Sequence, residues 1–205
     1  MKPSDIETLS FKIINEEAGE HNFSQKEWPI VRRMIHTSAD FDYIKTVRFH
    51  PLAIEAAINA IQHGKAIITD TKMAMSGISK KKLDGFNIKI KCFISDSEVE
   101  KKAAEKKITR AHAAVDAAVA DMEGGIYVIG NAPTALLHLI ELIKTGEAAP
   151  ALIIGLPVGF VNAAESKAAL IETDYPCITN IGRKGGSNIA ASVINALANI
   201  GTGTN

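Results

Sequence analysis

A chain of 205 residues, 46% of them hydrophobic, is long enough to bury the core of one α/β domain without disulfides or a structural metal. Its 23 basic and 23 acidic side chains cancel to zero formal charge, which removes the basic surplus of a nucleic-acid or anionic-membrane binder and leaves any anion binding to local features. The two cysteines, Cys92 and Cys177, sit apart in strand-like stretches, in no C-x-x-C pair and no cluster at metal-ligand spacing, and read as buried thiols of a reducing compartment.

In chain order, residues 1–5 lack the basic and apolar regions of a signal peptide. The most apolar run, residues 151–161, is broken by Gly155, Pro157 and Gly159, so the expectation is a cytoplasmic protein with no membrane partner. Two helices come next. Ile6, Leu9, Ile13 and Ile14 fall at helical spacing within residues 5–17, and Trp28, Val31 and Ile35 do so in the following segment. Ser24-Gln25-Lys26-Glu27 fits a capping box, although Pro29 falls deep for it, so the start of the regular helix stays open between Ser24 and Trp28. Residues 1–42 therefore read as a helical N-terminal segment.

From Tyr43 the pattern alternates. β-rich runs at 44–49, 66–69, 88–94, 126–129, 151–154 and 177–181 are each followed by helical sequence, with Pro51 opening one helix and Gly64 just past its end. This order predicts an α/β fold with a parallel or mostly parallel open sheet flanked by helices across residues 43–200, within a single domain ending in a flexible tail at 201–205. Ligands of such sheets bind beyond the carboxyl ends of the strands, where loops enter helix N-termini.

Three loops fit that place. Residues 130–135 open an apolar helix after a clear strand, residues 155–162 do the same after the next, and residues 182–188 add the cations Arg183 and Lys184. Each taken alone is equally a plain βα turn, with Asn162 and Ser187 as helix caps. Together they predict free backbone N–H groups at helix N-termini facing a ligand with several anionic groups. No G-x-G-x-x-G follows an early strand, and G-x-x-x-x-G-K-[ST] and G-x-S-x-G are absent. Carboxylates are therefore favoured over a dinucleotide, a nucleotide phosphate or a serine-hydrolase substrate.

Among six histidines, His36 stands out because Arg32 and Arg33 precede it by four and three residues, which puts the three on neighbouring helix surface. An ordinary solvated face accounts for the same spacing. His138 lies among leucines and reads as packed; His21, His50, His63 and His112 have no comparable company. Arg110 opens an alanine-rich helix, a poor place for a cation near the N-terminal dipole, which suggests an anionic partner as readily as simple exposure.

Five ordered segments carry a resemblance: 7–14 (ETLSFKII), 33–36 (RMIH), 130–136 (GNAPTAL), 157–167 (PVGFVNAAESK) and 182–187 (GRKGGS). Over nearly its whole length the chain resembles the precorrin-8X methylmutase family, also called the cobalt-precorrin-8 methylmutase family. The resemblance implies an isomerase of cobalamin (corrin) biosynthesis. Such an enzyme moves a methyl group from carbon 11 to carbon 12 of precorrin-8X or cobalt-precorrin-8, giving hydrogenobyrinate or cobyrinate, with no external cofactor and no protein-bound metal. It implies His36 as the catalytic proton donor and acceptor, and Ser10, Arg33 and Arg110 as substrate contacts. Asn131, Thr134 and Arg183 join the expected substrate-binding set on the helix-N-terminus argument. A homodimer with sites near the subunit interface is implied as well. The chain departs from the family pattern at Lys72, where an acidic residue is expected, and at Lys184, commonly apolar; both are expected to add positive charge near a polycarboxylate site. A corrinoid carrier without catalysis would use the same loops but would not need His36. A nucleotide- or phosphosugar-binding enzyme rests on loop shape alone.

Overall fold

The computed structural model describes residues 3–203, with side chains from Asp5 onward. Helices α1 (Pro3–Ala18) and α2 (Trp28–Ser38) form the N-terminal segment. The capping box closes: the Ser24 N–H donates to Glu27 Oε2 at 2.8 Å, and the Glu27 N–H donates to Ser24 Oγ at 3.2 Å. It wraps a turn that precedes the regular helix, so Pro29 stands in the first turn of α2, where its missing N–H has no intrahelical partner to lose.

The chain continues through α3 (Tyr43–Thr46), β1 (Val47–Phe49), α4 (Ala53–Gln62), β2 (Ile67–Thr69), α5 (Lys72–Gly77), α6 (Lys80–Leu83) and a 3-10 turn at Asp84–Phe86. It goes on through β3 (Ile90–Lys91), α7 (Ser97–Lys106), α8 (Arg110–Met122), β4 (Ile126–Ile129), α9 (Pro133–Lys144), β5 (Leu152–Gly155), α10 (Ala163–Ile171), β6 (Cys177–Asn180) and α11 (Ser187–Thr202). All six expected strands are present in one sheet, ordered β1-β6-β5-β4-β2-β3. Five run parallel, and β1 pairs antiparallel with β6, Val47 opposite Asn180. Two strands are shorter than expected. Residues 43–46 wind into a helical turn before β1, and the run 88–94 pairs only at Ile90 and Lys91. The final helix runs on through Gly201 and Thr202, into the stretch expected to be a flexible tail; Thr204 and Asn205 lie outside the described residues.

Period-two alternation sorts the central strands into two cores. Ile67, Ile126, Val128, Leu152, Ile154 and Ile178 pack with α2, α4 and α11 on one face. Ile68, Tyr127, Ile129, Ile153 and Cys177 pack with α8, α9 and α10 on the other. Strands β2, β4, β5 and β6 are buried throughout, as expected of a parallel sheet covered on both faces. Cys177 lies in the core, where burial pushes its thiol up to about 11, whereas Cys92 is only half-buried just past β3. The apolar stripe of α1 is split: Ile14 is buried, but Ile6, Leu9 and Ile13 remain 53%, 45% and 43% exposed. No helix among the described residues is long and apolar enough to cross a membrane.

Candidate active site

The loops that leave β2, β4, β5 and β6 meet at the carboxyl end of the parallel strands and are bound to one another. Asp70, 2% exposed, accepts the backbone N–H groups of Gly130, Asn131 and Ala132 at 3.0, 2.8 and 2.9 Å. Burial pushes its carboxyl up, and the three donors oppose that push. This corrects the expectation of open N–H groups ahead of α9: an internal carboxylate already fills the place read as a ligand anion's. Thr71 Oγ1 and Ser187 Oγ are 2.8 Å apart, so Ser187 bonds across the rim and makes no side-chain cap to α11. Asn162 likewise enters α10 in the left-handed conformation without a side-chain cap. The contact between loops is close enough to require glycine: a Cβ at Gly130 would stand 2.6 Å from Ser187 Cα.

The loop carrying Arg183 is held from below and from the side. Lys167 is fully buried, and its Nζ donates to Asn180 Oδ1 at 3.1 Å and to the Lys184 carbonyl at 2.6 Å. Burial lowers its pKa to about 8. The Lys184 ammonium reaches Asp40 at 2.5 Å and Asp42 at 2.7 Å, just beyond α2. The positive charge expected there for substrate capture is thus offset by two carboxylates. Lys72 is exposed in the first turn of α5.

His36 is exposed in the last turn of α2, its ring 5.2 Å from that of Phe11 on α1 in an edge-on arrangement. The guanidinium groups of Arg32 and Arg33 lie over the same Phe11 ring at 4.3 and 4.7 Å. Arg33 also pairs with Glu7 at 2.5 Å; burial pushes that carboxyl up, but the Arg33 bond and charge hold it below its ordinary value. Ser10, one residue before Phe11, donates its hydroxyl to the Ile6 carbonyl at 2.8 Å. The α1–α2 pair therefore brings His36 and Arg33 to one Phe11 ring, while Ser10, next to Phe11 in the chain, bonds within its own helix.

Arg110 and Thr134 belong to the other side of the sheet, and Asn131 to the rim loop between β4 and α9. Arg110 in the first turn of α8 bonds Glu100 of α7 at 3.0 Å, which supplies the anionic partner its position called for. Thr134 Oγ1 meets Thr109 Oγ1 at 2.9 Å, joining the N-termini of α9 and α8. The Asn131 side chain is exposed, and Arg183 lies 5.4 Å from the ring of Phe160, which is itself 82% exposed. Among the described residues, no bond joins either of these sets to His36 within one chain.

Sequence reading missed two groups. Phe11, Glu7 and Lys82 line a cavity of about 260 Å³ beside Arg32 and Arg33. The only sequence signal for it was the position of Phe11 on the helix that packs against α2. On the opposite face, His112 and His138 stack 3.6 Å apart, and His138 Nε2 lies 2.5 Å from Asp116, which also pairs with Lys102 at 2.7 Å. The i, i+4 spacing of His112 and Asp116 was its visible trace.

Residues 5–200 match the family described as precorrin-8X methylmutase. The chain belongs to that family. It is 49% identical to the cobalt-precorrin-8 methylmutase of Priestia megaterium, with 97% of this chain and 88% of the relative covered. It is 38% identical to the precorrin-8X methylmutase of Sinorhizobium sp, with 94% and 92% covered. Its fold matches the crystal structure of the precorrin-8x methyl mutase from Thermus thermophilus at a TM-score of 0.90 and 44% identity, covering 98% of each chain. Relatives named for both substrates thus match this chain in sequence over most of its length, and the solved structure matches it in fold.

Proposed function

We propose that this protein is the isomerase of cobalamin biosynthesis that moves a methyl group from carbon 11 to carbon 12 of precorrin-8X or cobalt-precorrin-8, with His36 as its acid and base. The observation that carries the reading is an exposed His36 held edge-on to Phe11, with two guanidinium groups over the same ring. An imidazole so placed reaches a bound macrocycle while the cations beside it draw in carboxylates. In the reaction the imidazolium gives a proton to the ring system, the methyl group shifts between adjacent carbons, and the proton returns to the same nitrogen. Atoms balance, as an isomerisation requires, and no external cofactor enters.

Ser10 and Arg33 are assigned to the substrate on the His36 side of the site. Arg110, Asn131, Thr134 and Arg183 are assigned to the rim, which becomes continuous with His36 when a second copy of the chain completes the site. Two exposed apolar features support a homodimer: Ile6, Leu9 and Ile13 on α1, and Phe160 with Val161 at the rim. We also read the chain as a single cytoplasmic domain. The more similar of the two relatives named above is the one named for the cobalt-loaded substrate, which favours a metal carried by the ring and not by the protein.

A corrinoid carrier finds no support in the relatives' names, and it predicts binding without conversion. His36→Ala separates the two readings. General acid catalysis contributes about a hundredfold to ten-thousandfold, so turnover falls by at least the lower figure while hydrogenobyrinate still binds. Near-normal isomerisation by the variant refutes the assignment, and loss of product binding reduces His36 to a contact residue.

A further inference from the structure

The anion receptors legible in the sequence are largely consumed within the fold. Asp70 takes the N–H groups ahead of α9, Asp40 and Asp42 take Lys184, and Glu100 takes Arg110. One group of cations is not consumed. A groove runs between α1, α2 and α6 over a floor of α11, as two adjoining cavities of about 260 and 300 Å³ that share Arg33 and Lys82 as walls. Three cations, Arg32, Arg33 and Lys82, face it, with Glu7 as the acid beside them. Arg33 is bonded to that acid. Lys82 has no ion pair among the described residues, and the buried Nε of Arg32 has no hydrogen-bond partner.

An unpaired lysine is ordinary on a solvated surface, but a buried donor without a partner is not. An unmade hydrogen bond from a buried donor costs about 1–3 kcal/mol with no return inside the chain. Crowding also tells on the cations: burial, followed by the Arg33 charge, lowers the pKa of both Arg32 and Lys82. An anion in the groove relieves both costs, accepting from Arg32 Nε and offsetting the surplus charge. The groove has room for a short carboxylate arm, and Phe11, which carries His36 at its edge, supplies an apolar wall toward the rest of the ligand.

We propose that Lys82, together with Arg32, forms the anion-binding wall of this groove and takes a carboxylate arm of the substrate, fixing the macrocycle against His36. The inference rests on the methylmutase reading and deepens it by naming two contacts that neither the sequence nor the family resemblance supplied. The test is steady-state isomerisation of metal-free and cobalt-loaded precorrin-8, with product titration, by wild type, Lys82→Met and Lys82→Arg, each at low and at physiological salt. Lys82→Met keeps the stem and removes the charge, so KM and the product Kd rise about tenfold, the loss falls on KM more than on kcat, and Lys82→Arg restores most of it. The salt dependence of KM is shallower in Lys82→Met, because one charge contact is gone. Wild-type turnover with an unchanged KM and Kd in Lys82→Met overturns the inference and leaves the functional reading standing. Absence of turnover by wild type on both substrates overturns the functional reading, and the inference with it.

Discussion

Burial, more than any neighbouring charge, sets the chemistry of Lys167. Its ammonium is held to about 8 against an ordinary 10.5, so below about pH 8 it is charged in both folded and unfolded chains and the folded state bears the full desolvation cost. Between 8 and 10.5 the unfolded chain keeps its proton longer, and stability therefore rises with pH. Relative to Lys167→Met, which cancels the other titrating groups, wild type gains about 2 kcal/mol between about pH 7 and about pH 9.5. Urea unfolding at the two pH values measures the gain, and a pH-independent difference contradicts it. Asp70→Asn turns one acceptor edge into a donor facing backbone N–H groups and lowers stability by about 1–3 kcal/mol. Thermal unfolding of that variant checks it. Neither role was legible in the sequence. The loop that Asp70 binds lies 60 residues away in the chain. Lys167 sits in a helix whose sequence does not show that one lysine faces a strand and a loop. For His36, helical spacing showed its place beside Arg32 and Arg33, while its role as acid and base is what the family resemblance implies.

Helices and strands followed from period and punctuation wherever a segment buries its own stripe, as with β4, whose ends match the sequence reading at both residues. The misses are local. Residues 43–46 have the β-branched and aromatic content of a strand, but only β6 is available to pair with this edge, and pairing begins at Val47. The stripe on α1 forms the expected helix, yet of its four apolar residues Ile6, Leu9 and Ile13 face solvent. The arginines of the site differ at this scale. Arg33, 16% exposed in its side chain, joins α2 to α1 through Glu7 and Phe11. Arg33→Ala therefore loosens the helix pair and lowers stability by about 1–2 kcal/mol. Arg110 makes an exposed pair with Glu100, so Arg110→Ala changes stability by less than about 1 kcal/mol. Both are expected to weaken substrate binding. Melting curves beside product titrations separate the two effects, and equal stability losses contradict the distinction.

At the scale of the whole molecule, the sheet separates Ser10, Arg33 and His36, on α1 and α2, from Arg110 and Thr134, on α8 and α9, with Asn131 and Arg183 in the rim loops between them. The proposed dimer would bring the two sets into one site, and the exposed α1 stripe is the surface the proposal assigns to its contact. Leu9→Glu places a charge in that surface and shifts sedimentation from two chains toward one, with loss of turnover at low protein concentration; an unchanged dimer excludes α1 from the contact. The central claim concerns chemistry, and the substrate itself reports it. The methyl shift removes a saturated interruption from the conjugated ring system, so conversion changes the visible spectrum without any coupled assay. Purified protein mixed with metal-free and with cobalt-loaded precorrin-8 is expected to convert at least one of them to the spectrum of hydrogenobyrinate or cobyrinate, and His36→Ala to leave that spectrum unchanged on the same timescale. Tight binding of both substrates by wild type, with no spectral conversion of either, contradicts the account and leaves a carrier in its place.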